Sequence, residues 1–318
     1  MISDKNAQNK KLKQEKNTSF KEIKKSSSLD RLDFELLLAF SSGFSREALI
    51  TYPDKNLGLK TLNKFRQLEK KRLKNWPIAY LLGEQNFYGL NFKVSPKVLV
   101  PRPETELMID EVLKKINEEN YKTLNIIDIG TGSGAIIISL ASRLKRINIE
   151  LFKQTNFFGL DISPAALKIA KENAKNNNLK EKIIFKKSDL LNIIKNKKFS
   201  KKINIFSRPL IICANLPYLR PEEFKNEKSL SHEPKLALVA GKDGLKYYRQ
   251  LFQQLALMTK GEFNNDVDAN KLKSLFLICE INPGQVEPMK KLANKYLGKK
   301  SIKISQDLAK KDRFLIIK

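Results

Sequence analysis

Short apolar runs alternate with longer amphipathic segments from Asn125 onward. Runs of about five residues rich in isoleucine, leucine and phenylalanine indicate strands that are buried on both faces, as in a parallel sheet. The segments between them suit helices, so this alternation predicts an α/β fold with an open parallel sheet. The last two runs are too close for a helical crossover and predict an antiparallel pair. The predicted strands are 125–129, 156–161, 182–187, 209–214, 275–281, 301–305 and 313–318, and the predicted helices include 135–144, 164–176 and 245–259.

The residues before this sheet follow a different pattern. Residues 1–27 are polar and rich in lysine, asparagine and serine, a composition typical of a disordered tail. Apolar residues then recur at helical spacing, which predicts a small helical domain over 28–85. A hairpin linker with Gly89 near its turn is predicted over 86–103. The sheet domain is predicted over 104–318.

The segments that connect these elements contain a candidate helix cap and two candidate insertions. Two prolines stiffen the chain before Thr105, which is placed to cap a helix predicted over 106–116. Residues 195–202 and 261–273 are polar, and both are predicted to be exposed insertions in the sheet domain.

The composition adds a large positive charge. The chain has 318 residues, the length of about two domains, and its formal net charge is +27. Such a charge favours nucleic acid or a nucleoprotein as a partner, but an AT-rich genome would also enrich lysine over arginine. Direct nucleic-acid binding is therefore not expected to be the main function.

The cysteines and the apolar runs indicate the cellular setting. Cys213 and Cys279 lie within apolar runs, which predicts buried reduced thiols and neither a disulfide nor a metal site. No apolar run approaches the ~18 residues of a membrane span, and the N-terminal residues lack the apolar segment of a signal peptide. We therefore expect a cytoplasmic protein that does not enter a membrane. Nothing in the sequence suggests a large self-complementary surface, so a monomer is expected.

A glycine-rich turn follows the first predicted strand of the sheet. Gly130, Gly132 and Gly134 alternate there with Thr131 and Ser133, and glycine lets a backbone turn tightly and approach a ligand closely. The turn leads into a predicted helix, whose N-terminus favours a negative ligand group. By itself this turn is a weak signal, because many turns carry glycine for steric reasons.

Asp161 ends the second predicted strand, where a carboxylate can accept hydrogen bonds from a ribose diol. Dinucleotide-binding proteins have a G-x-G-x-x-G pattern with the acid about 20 residues further on. Here the glycines follow G-x-G-x-G and Asp161 comes later. This spacing disfavours a nicotinamide dehydrogenase and leaves open another ligand that carries a nucleoside.

The fourth predicted strand ends in Asn215, Leu216, Pro217 and Tyr218. Ligands of such sheets bind beyond the carboxyl ends of the strands, so this tetrapeptide is predicted to face the glycine loop across a cleft. A turn of this composition is also compatible with a purely structural strand end.

Together these motifs resemble those of S-adenosylmethionine-dependent methyltransferases that act on planar amino groups. The resemblance rests on residues 128–134, Asp161, Asp189 and residues 215–218. It implies a Rossmann-like, seven-stranded class I methyltransferase domain.

Three further segments resemble one branch of that superfamily, the peptide chain release factor N5-glutamine methyltransferases. These segments are residues 101–106, 233–238 and 241–244, and residues 307–313 fit as well. The helical N-terminal segment would then be a substrate-recognition domain. The sequence departs from this family at Leu216, where the family has proline. The carbonyl acceptor is kept there, but the fixed φ of proline is lost.

The resemblance implies how S-adenosylmethionine would be bound. The backbone of residues 130–134 would pack against its methionine part, and Asp161 would bind its ribose hydroxyls. Asp189 and Leu190 would contact the adenine. Asn215 would contribute to the same cofactor site.

The resemblance also implies a substrate and a mechanism. The Asn215 side-chain oxygen and the Leu216 carbonyl would accept the two hydrogens of a glutamine amide, in a loop completed by Pro217, and Tyr218 would lie against the flat amide. That glutamine belongs to the Gly-Gly-Gln motif of release factors, free or on the ribosome, so the enzyme would modulate translation termination. No metal is required, because the amide nitrogen becomes acidic once it is attacked. His232, the single histidine, is not expected to act as a general base.

Two other functions remain open at this point. An N6-adenine DNA or RNA methyltransferase would use the same tetrapeptide on an exocyclic amine, and the charge of +27 favours it. No additional target-recognition domain is evident in the sequence, however. A non-catalytic protein that binds the ribosome or nucleic acid on the same scaffold is disfavoured by Asp161, Asn215 and Tyr218, because no structural role requires all three.

Overall fold

The computed structural model describes residues 18–203, 207–259, 274–298 and 301–318. These residues divide into two compact units. The smaller unit contains the described chain up to Gly83 together with residues 228–232, and the larger unit contains the rest. In the described ranges, every helix is too short or too polar to cross a membrane.

The smaller unit consists of short helices and one pair of two-residue strands. In chain order its elements are β1 (Thr18–Ser19), α1 (Phe20–Lys25), α2 (Arg31–Ser42), α3 (Arg46–Thr51), β2 (Asn56–Leu57), α4 (Leu59–Arg72) and α5 (Ile78–Leu82). The side chains of Phe34, Leu37 and Phe65 are buried in its core. This core forms because the apolar residues recur at helical spacing along α2 and α4.

The prediction of a disordered tail over residues 1–27 is wrong for its described end. Ser19 and Glu22 form a capping box at the start of α1. Phe20 and Ile23 are buried in the core of the smaller unit. Capping and apolar burial together stabilise a short helix that the polar composition disfavours. The remainder of the predicted tail lies outside the described residues.

The larger unit opens with a hairpin and continues as alternating strands and helices. In chain order its elements are β3 (Glu84–Phe87), β4 (Leu90–Lys93), α6 (Glu106–Glu119), β5 (Leu124–Ile129), α7 (Ala135–Ile147), α8 (Ile149–Gln154), β6 (Thr155–Asp161), α9 (Pro164–Asn176), β7 (Ile183–Lys187), α10 (Lys197–Ile203), β8 (Leu210–Ala214), α11 (Pro221–Asn226), α12 (Lys246–Thr259), β9 (Leu275–Glu280), α13 (Val286–Leu297), β10 (Ile302–Gln306) and β11 (Asp312–Ile317). The polar stretch 195–202, predicted as an insertion, contains most of α10. The stretch 261–273 lies outside the described residues.

Seven strands of the described residues form one sheet in the order β10-β11-β9-β8-β5-β6-β7. The neighbours from β7 to β9 are parallel, and β11 is antiparallel to both β9 and β10. The predicted strands and the antiparallel pair are confirmed, with boundaries within one residue. The chain reverses its direction of travel across the sheet between β5 and β8. The loops that follow these two strands therefore meet at a topological switch point, where ligands bind in such sheets.

Helices cover both faces of the sheet. Along β5, Ile126 packs on the face covered by α6 and α7, whereas Ile127 packs on the face covered by α12 and α13. This alternation follows from the two-residue period of a strand. Cys213 and Cys279 are buried and free, as predicted.

Candidate active site

A cavity lies at the carboxyl edge of the parallel strands, within the larger unit. One part of its wall is formed by the end of β6 and by the loops that follow β5, β6, β7 and β8. The cavity residues of these segments are Gly130, Gly132, Asp161, Ile162, Ser163, Ser188, Asp189, Leu190, Asn215, Leu216 and Pro217. Further wall residues come from elsewhere in the chain, and they are Lys97, Val98, Leu99, Ala166, Pro234, Leu236, Ala237 and Tyr247. The cavity therefore stands at the switch point.

The glycine loop depends on backbone conformations that glycine adopts without strain. Gly130, Gly132 and Gly134 have φ values of 71°, 53° and 82°, all in the left-handed region. A Cβ on Gly130 would stand 3.1 Å from Leu216 Cδ2, so the two loops touch. A Cβ on Gly132 would meet no described protein atom nearer than 3.9 Å. The space that its missing side chain leaves belongs to the cavity.

Three N–H groups of this loop already have partners within the protein. Those of Gly130 and Thr131 both donate to the carbonyl of Leu160, at 2.8 and 2.9 Å. The N–H of Gly132 donates to Asp161 Oδ2 at 2.9 Å. These N–H groups are therefore not available to a negative ligand group. The glycines instead allow the tight turn and a close approach of the backbone to a ligand.

Asp161 ends β6 at the wall of the cavity. Its two carboxylate oxygens accept the N–H groups of Gly132 at 2.9 Å and Ser163 at 2.8 Å. Burial raises the pKa of Asp161, and these hydrogen bonds oppose the rise. Each carboxylate oxygen can accept more than one hydrogen bond, so the held carboxylate can still bind hydroxyl donors of a ligand.

A second carboxylate, Asp128, lies beneath the glycine loop. It is fully buried, its Oδ2 accepts a hydrogen bond of 2.6 Å from the Thr131 hydroxyl, and its Oδ1 has no partner among the described residues. Burial raises the pKa of Asp128 to about 7, and the charge of Asp161 adds to the rise. In the sequence, Asp128 is part of the resemblance over residues 128–134, but nothing there assigns it a role of its own.

The adenine candidates follow β7. Asp189 is exposed and Leu190 is buried at the cavity wall. Leu190 has a φ of 49°, an uncommon conformation for a residue with a side chain. The next N–H, that of Leu191, donates to the Gln254 side chain at 2.7 Å and holds this turn in place.

The amide of Asn215 is held from behind by two side chains. Its Nδ2 donates to Glu280 Oε2 at 2.9 Å and to Thr105 Oγ1 at 3.1 Å. The Thr105 hydroxyl in turn donates to Glu280 Oε2 at 2.6 Å. Thr105 precedes α6, but its side chain does not cap that helix, contrary to the prediction. Its hydroxyl is engaged by Glu280 instead.

Glu280 is the last residue of β9 and is only 2% exposed. Burial raises its pKa to about 7, while hydrogen bonds from Thr105 and Tyr218 and the charge of Arg313 oppose the rise. Glu280 could not be assigned to the site from the sequence. The available signal was a glutamate inside an otherwise apolar strand, because such a residue is rarely buried without a partner.

The loop from Asn215 to Tyr218 is fixed at both ends. The N–H of Leu216 donates to the Tyr248 hydroxyl at 3.3 Å, and that hydroxyl donates to the carbonyl of Glu280. At the other end, Gln285 Nε2 donates to the Tyr218 carbonyl at 2.9 Å. These contacts hold the tetrapeptide against the ends of the strands.

An ion pair joins two segments that both supply cavity residues. Arg102 pairs with Glu233, whose other oxygen accepts the N–H of Val100 at 3.3 Å. The Glu233 side chain is only 2% exposed. This ion pair explains why residues 97–99 and residues 234–237 line the same part of the cavity wall. Their distance in the sequence gives no indication of this contact.

Four of the residues predicted for the site do not line the cavity. Thr131 and Ser133 are buried in the loop, Gly134 is the residue before α7, and Tyr218 packs against the core on the α12 face. His232 belongs to the smaller unit. The other predicted residues, from Gly130 to Pro217, are brought together as described above.

The chain matches two known protein families. Residues 120–259 match the methyltransferase domain family, and residues 19–83 match the PrmC N-terminal domain family. The first match, the sheet order and the cavity at the switch point define the chain as a methyltransferase.

Individual relatives identify its family within the methyltransferases. A release factor glutamine methyltransferase of Moorella thermoacetica is 33% identical over 285 residues, which are 89% of each chain. One of Coxiella burnetii is 37% identical over 215 residues, 68% of this chain and 70% of the relative. One of Bacillus subtilis is 31% identical over 284 residues, 88% of each. The chain belongs to the release factor glutamine methyltransferase family.

The fold is also similar to that of the hMettl16 catalytic domain, solved in complex with MAT2A 3'UTR hairpin 6. That structure superposes with a TM-score of 0.51 at 16% sequence identity, and the match covers 72% of this chain and 75% of that chain. At this identity the likeness shows the fold alone. It confirms the predicted Rossmann-like methyltransferase fold.

Proposed function

We propose that the chain transfers the methyl group of S-adenosylmethionine to the side-chain nitrogen, N5, of the glutamine in the Gly-Gly-Gln motif of peptide chain release factors. The observation that carries this proposal is the anchored amide of Asn215. Its Nδ2 is engaged by Glu280 and Thr105, which leaves Oδ1 for a substrate donor. The names of the relatives supply the substrate class.

The residues present suit S-adenosylmethionine. Asp161 offers a held carboxylate for the ribose hydroxyls, and Asp189 and Leu190 form the wall proposed for the adenine. The space beside Gly132 is open for the methionine part, and Asp128 has a buried oxygen without a partner among the described residues. When bound, S-adenosylmethionine supplies a methyl group on a positively charged sulfur.

The tetrapeptide would overcome the poor reactivity of an amide. The lone pair of an amide nitrogen is shared with its carbonyl, so the protein must hold the nitrogen in a reactive orientation and stabilise the charge that develops on it. Asn215 Oδ1 and the Leu216 carbonyl would accept its two hydrogens. Pro217 limits the freedom of this loop. Tyr218 packs against the core outside the cavity wall, so its contact with the flat amide stays a prediction from the resemblance. The nitrogen loses a proton to solvent after the methyl group arrives, so no strong base is needed.

The partner and the setting follow from the same proposal. The partner is a release factor, and the net charge of +27 supports an encounter with it at the phosphate-rich surface of the ribosome. We further propose that the protein works as a monomer in the cytoplasm, with its helical N-terminal unit recognising the factor.

Transfer of labelled methyl groups tests the proposed function. The purified chain is incubated with labelled S-adenosylmethionine and one of three acceptors: a release factor, the same factor with its Gly-Gly-Gln glutamine changed to alanine, or duplex DNA. Label on the unchanged factor alone is expected. Label on DNA, or equal label on both factors, would contradict the proposal. Asn215→Ala is the control enzyme and should transfer no label while it still binds the cofactor.

A further inference from the structure

The carboxyl group of Glu280 lies behind Asn215 and is not part of the cavity wall. Its Oε2 accepts hydrogen bonds from Asn215 Nδ2 at 2.9 Å and from Thr105 Oγ1 at 2.6 Å. Asn215 Nδ2 also lies 3.1 Å from Thr105 Oγ1. Side chains from three separate segments of the chain thus form one closed triangle of hydrogen bonds.

This triangle decides which end of the Asn215 amide faces the cavity. A carboxylate only accepts hydrogen bonds, so the NH2 end of the amide must point to Glu280. The oxygen of a planar amide then points the other way. If the amide were reversed, it would present two donors to the NH2 group of a substrate, and no hydrogen bond would form between them.

We propose that Glu280 is a positioning residue for methyl transfer, which together with Thr105 keeps the Asn215 oxygen turned towards the substrate amide. This inference rests on the proposed function of the cavity. Glu280 acts through Asn215 and does not touch the substrate. The role of the tetrapeptide therefore depends on a residue at the end of a different strand.

Burial raises the pKa of Glu280, and the charged groups around it act in both directions. Arg313 of β11 brings a positive charge that favours the ionised carboxylate, and Glu104 brings a negative charge that opposes it. The Tyr248 hydroxyl binds the Glu280 backbone carbonyl. Since charge-assisted hydrogen bonds are stronger than neutral ones, the ionised carboxylate holds Asn215 more firmly than the protonated form.

Glu280→Gln tests this role with little change in shape. Both hydrogen bonds that the carboxyl accepts from Thr105 and Asn215 end on Oε2, so a glutamine oxygen can replace it only with weaker, neutral hydrogen bonds. We expect kcat to fall about ten-fold, because Asn215 is then held less firmly in its reactive orientation. The KM for the release factor and the Kd for S-adenosylmethionine should stay within about two-fold, because the lost interaction matters only in the transition state.

The matched control is Glu111→Gln. Glu111 is also a carboxylate that accepts a hydroxyl hydrogen bond, from Ser305 at 2.6 Å, but it lies on α6 outside the cavity wall. Its kinetics should equal those of the wild type. A similar loss of kcat in both variants would overturn a specific role for Glu280.

Thr105 provides a second, independent pair of variants in case Glu280→Gln does not fold. Thr105→Ser keeps the hydroxyl and should retain nearly all of kcat. Thr105→Val keeps the shape but removes both the donor to Glu280 and the acceptor for Asn215, so kcat should fall about ten-fold or more. Equal activity of the two variants would contradict the proposal.

A spectroscopic measurement separates this inference from the proposed function, because it needs no substrate. In protein labelled with 15N in its asparagine side chains, the NH2 signals that are missing in Asn215→Ala belong to Asn215. These signals should shift as the pH passes through about 7, the pKa of Glu280, and the shift should be absent in Glu280→Gln. Asn215 signals that are the same in the wild type and in Glu280→Gln at every pH would overturn the positioning role. A wild-type enzyme that labels no release factor, but shows the expected shift, would overturn only the proposed function.

Discussion

The backbone N–H of Leu216 donates a hydrogen bond to the hydroxyl of Tyr248 across 3.3 Å. Proline, the residue that the resemblance places at this position, has no N–H and could not form it. Leu216 is 3% exposed, and its side chain packs beside Gly130. The hydrogen bond and this packing restrain the tetrapeptide where a proline ring would otherwise do so.

A double-mutant cycle with Leu216→Pro and Tyr248→Phe measures this restraint. Tyr248→Phe should destabilise the wild type more than it destabilises Leu216→Pro, because only the wild type has the N–H to lose a partner. The coupling free energy of unfolding should be about 0.5–1.5 kcal/mol, the net value of one hydrogen bond. The carbonyl groups that Tyr248 also contacts are present in both backgrounds, so their loss cancels. Additive effects in denaturant unfolding would show that the contact does not stabilise the loop.

Asp161→Ala should weaken the binding of S-adenosylmethionine. The proposed interaction is a charge-assisted hydrogen bond to the ribose, so the loss should be about 1.5–3 kcal/mol. Isothermal titration calorimetry measures it directly. Asp110→Ala removes an exposed carboxylate from α6 and serves as the control, whose Kd should not change. A wild-type Kd in Asp161→Ala would exclude the ribose assignment.

Asp128 should make the stability of the larger unit depend on pH. Its folded pKa is raised to about 7, so the folded protein binds a proton at a pH where the unfolded chain has lost it. The stabilising contribution is complete below the unfolded pKa of about 4, and it is lost as the pH rises through 7. The wild type therefore loses stability relative to Asp128→Asn over this interval.

Unfolding of both proteins at two pH values tests this expectation. Between pH 5.5 and 8, the free energy of unfolding of Asp128→Asn should rise by about 2 kcal/mol relative to that of the wild type. Any constant cost of the new amide cancels in this difference, and so do the titrating groups that do not interact with Asp128. Parallel pH profiles for the two proteins would mean that Asp128 is not buried as an acid with a raised pKa.

Gly244 lies close to the Tyr218 end of the tetrapeptide, and its replacement should disturb that end. It has a φ of 72°, and a Cβ there would overlap both the Tyr218 carbonyl oxygen and Gln285 Nε2. Gly241 has a similar φ of 77°, but its Cβ would come no closer than 3.4 Å to Lys246. Gly241→Ala should therefore cost only the backbone strain of about 1–2 kcal/mol. Gly244→Ala should cost more and also lower kcat, and equal unfolding free energies would contradict this view of the loop.

The sheet could be predicted from the sequence because its signals are local. Strands such as Ile183–Lys187 and Leu210–Ala214 can be predicted from their own apolar residues. The last two apolar runs are too close for a helical crossover, which predicts their antiparallel pairing. The glycines, Asp161 and residues 215–217 could also be placed, because parallel strands bring their carboxyl ends to one edge.

Other features depend on contacts between distant segments. Glu280, Thr105 and Gln285 act on the tetrapeptide from positions that the sequence does not connect with it. The helix at Phe20–Lys25 was missed for a similar reason, since its two apolar side chains are stabilised by a core formed later in the chain. The local composition of the sequence predicts neither the hydrogen bonds to the tetrapeptide nor the burial of this helix in the core.

The position of the transferred methyl group distinguishes methylation of glutamine N5 from every other transfer. A release factor is incubated with the chain and S-adenosylmethionine, digested, and sequenced by tandem mass spectrometry. One added methyl group is expected on the side chain of the Gly-Gly-Gln glutamine, and none in a reaction with Asn215→Ala. An unmodified glutamine, or a methyl group on another residue or on nucleic acid, would contradict the proposed function.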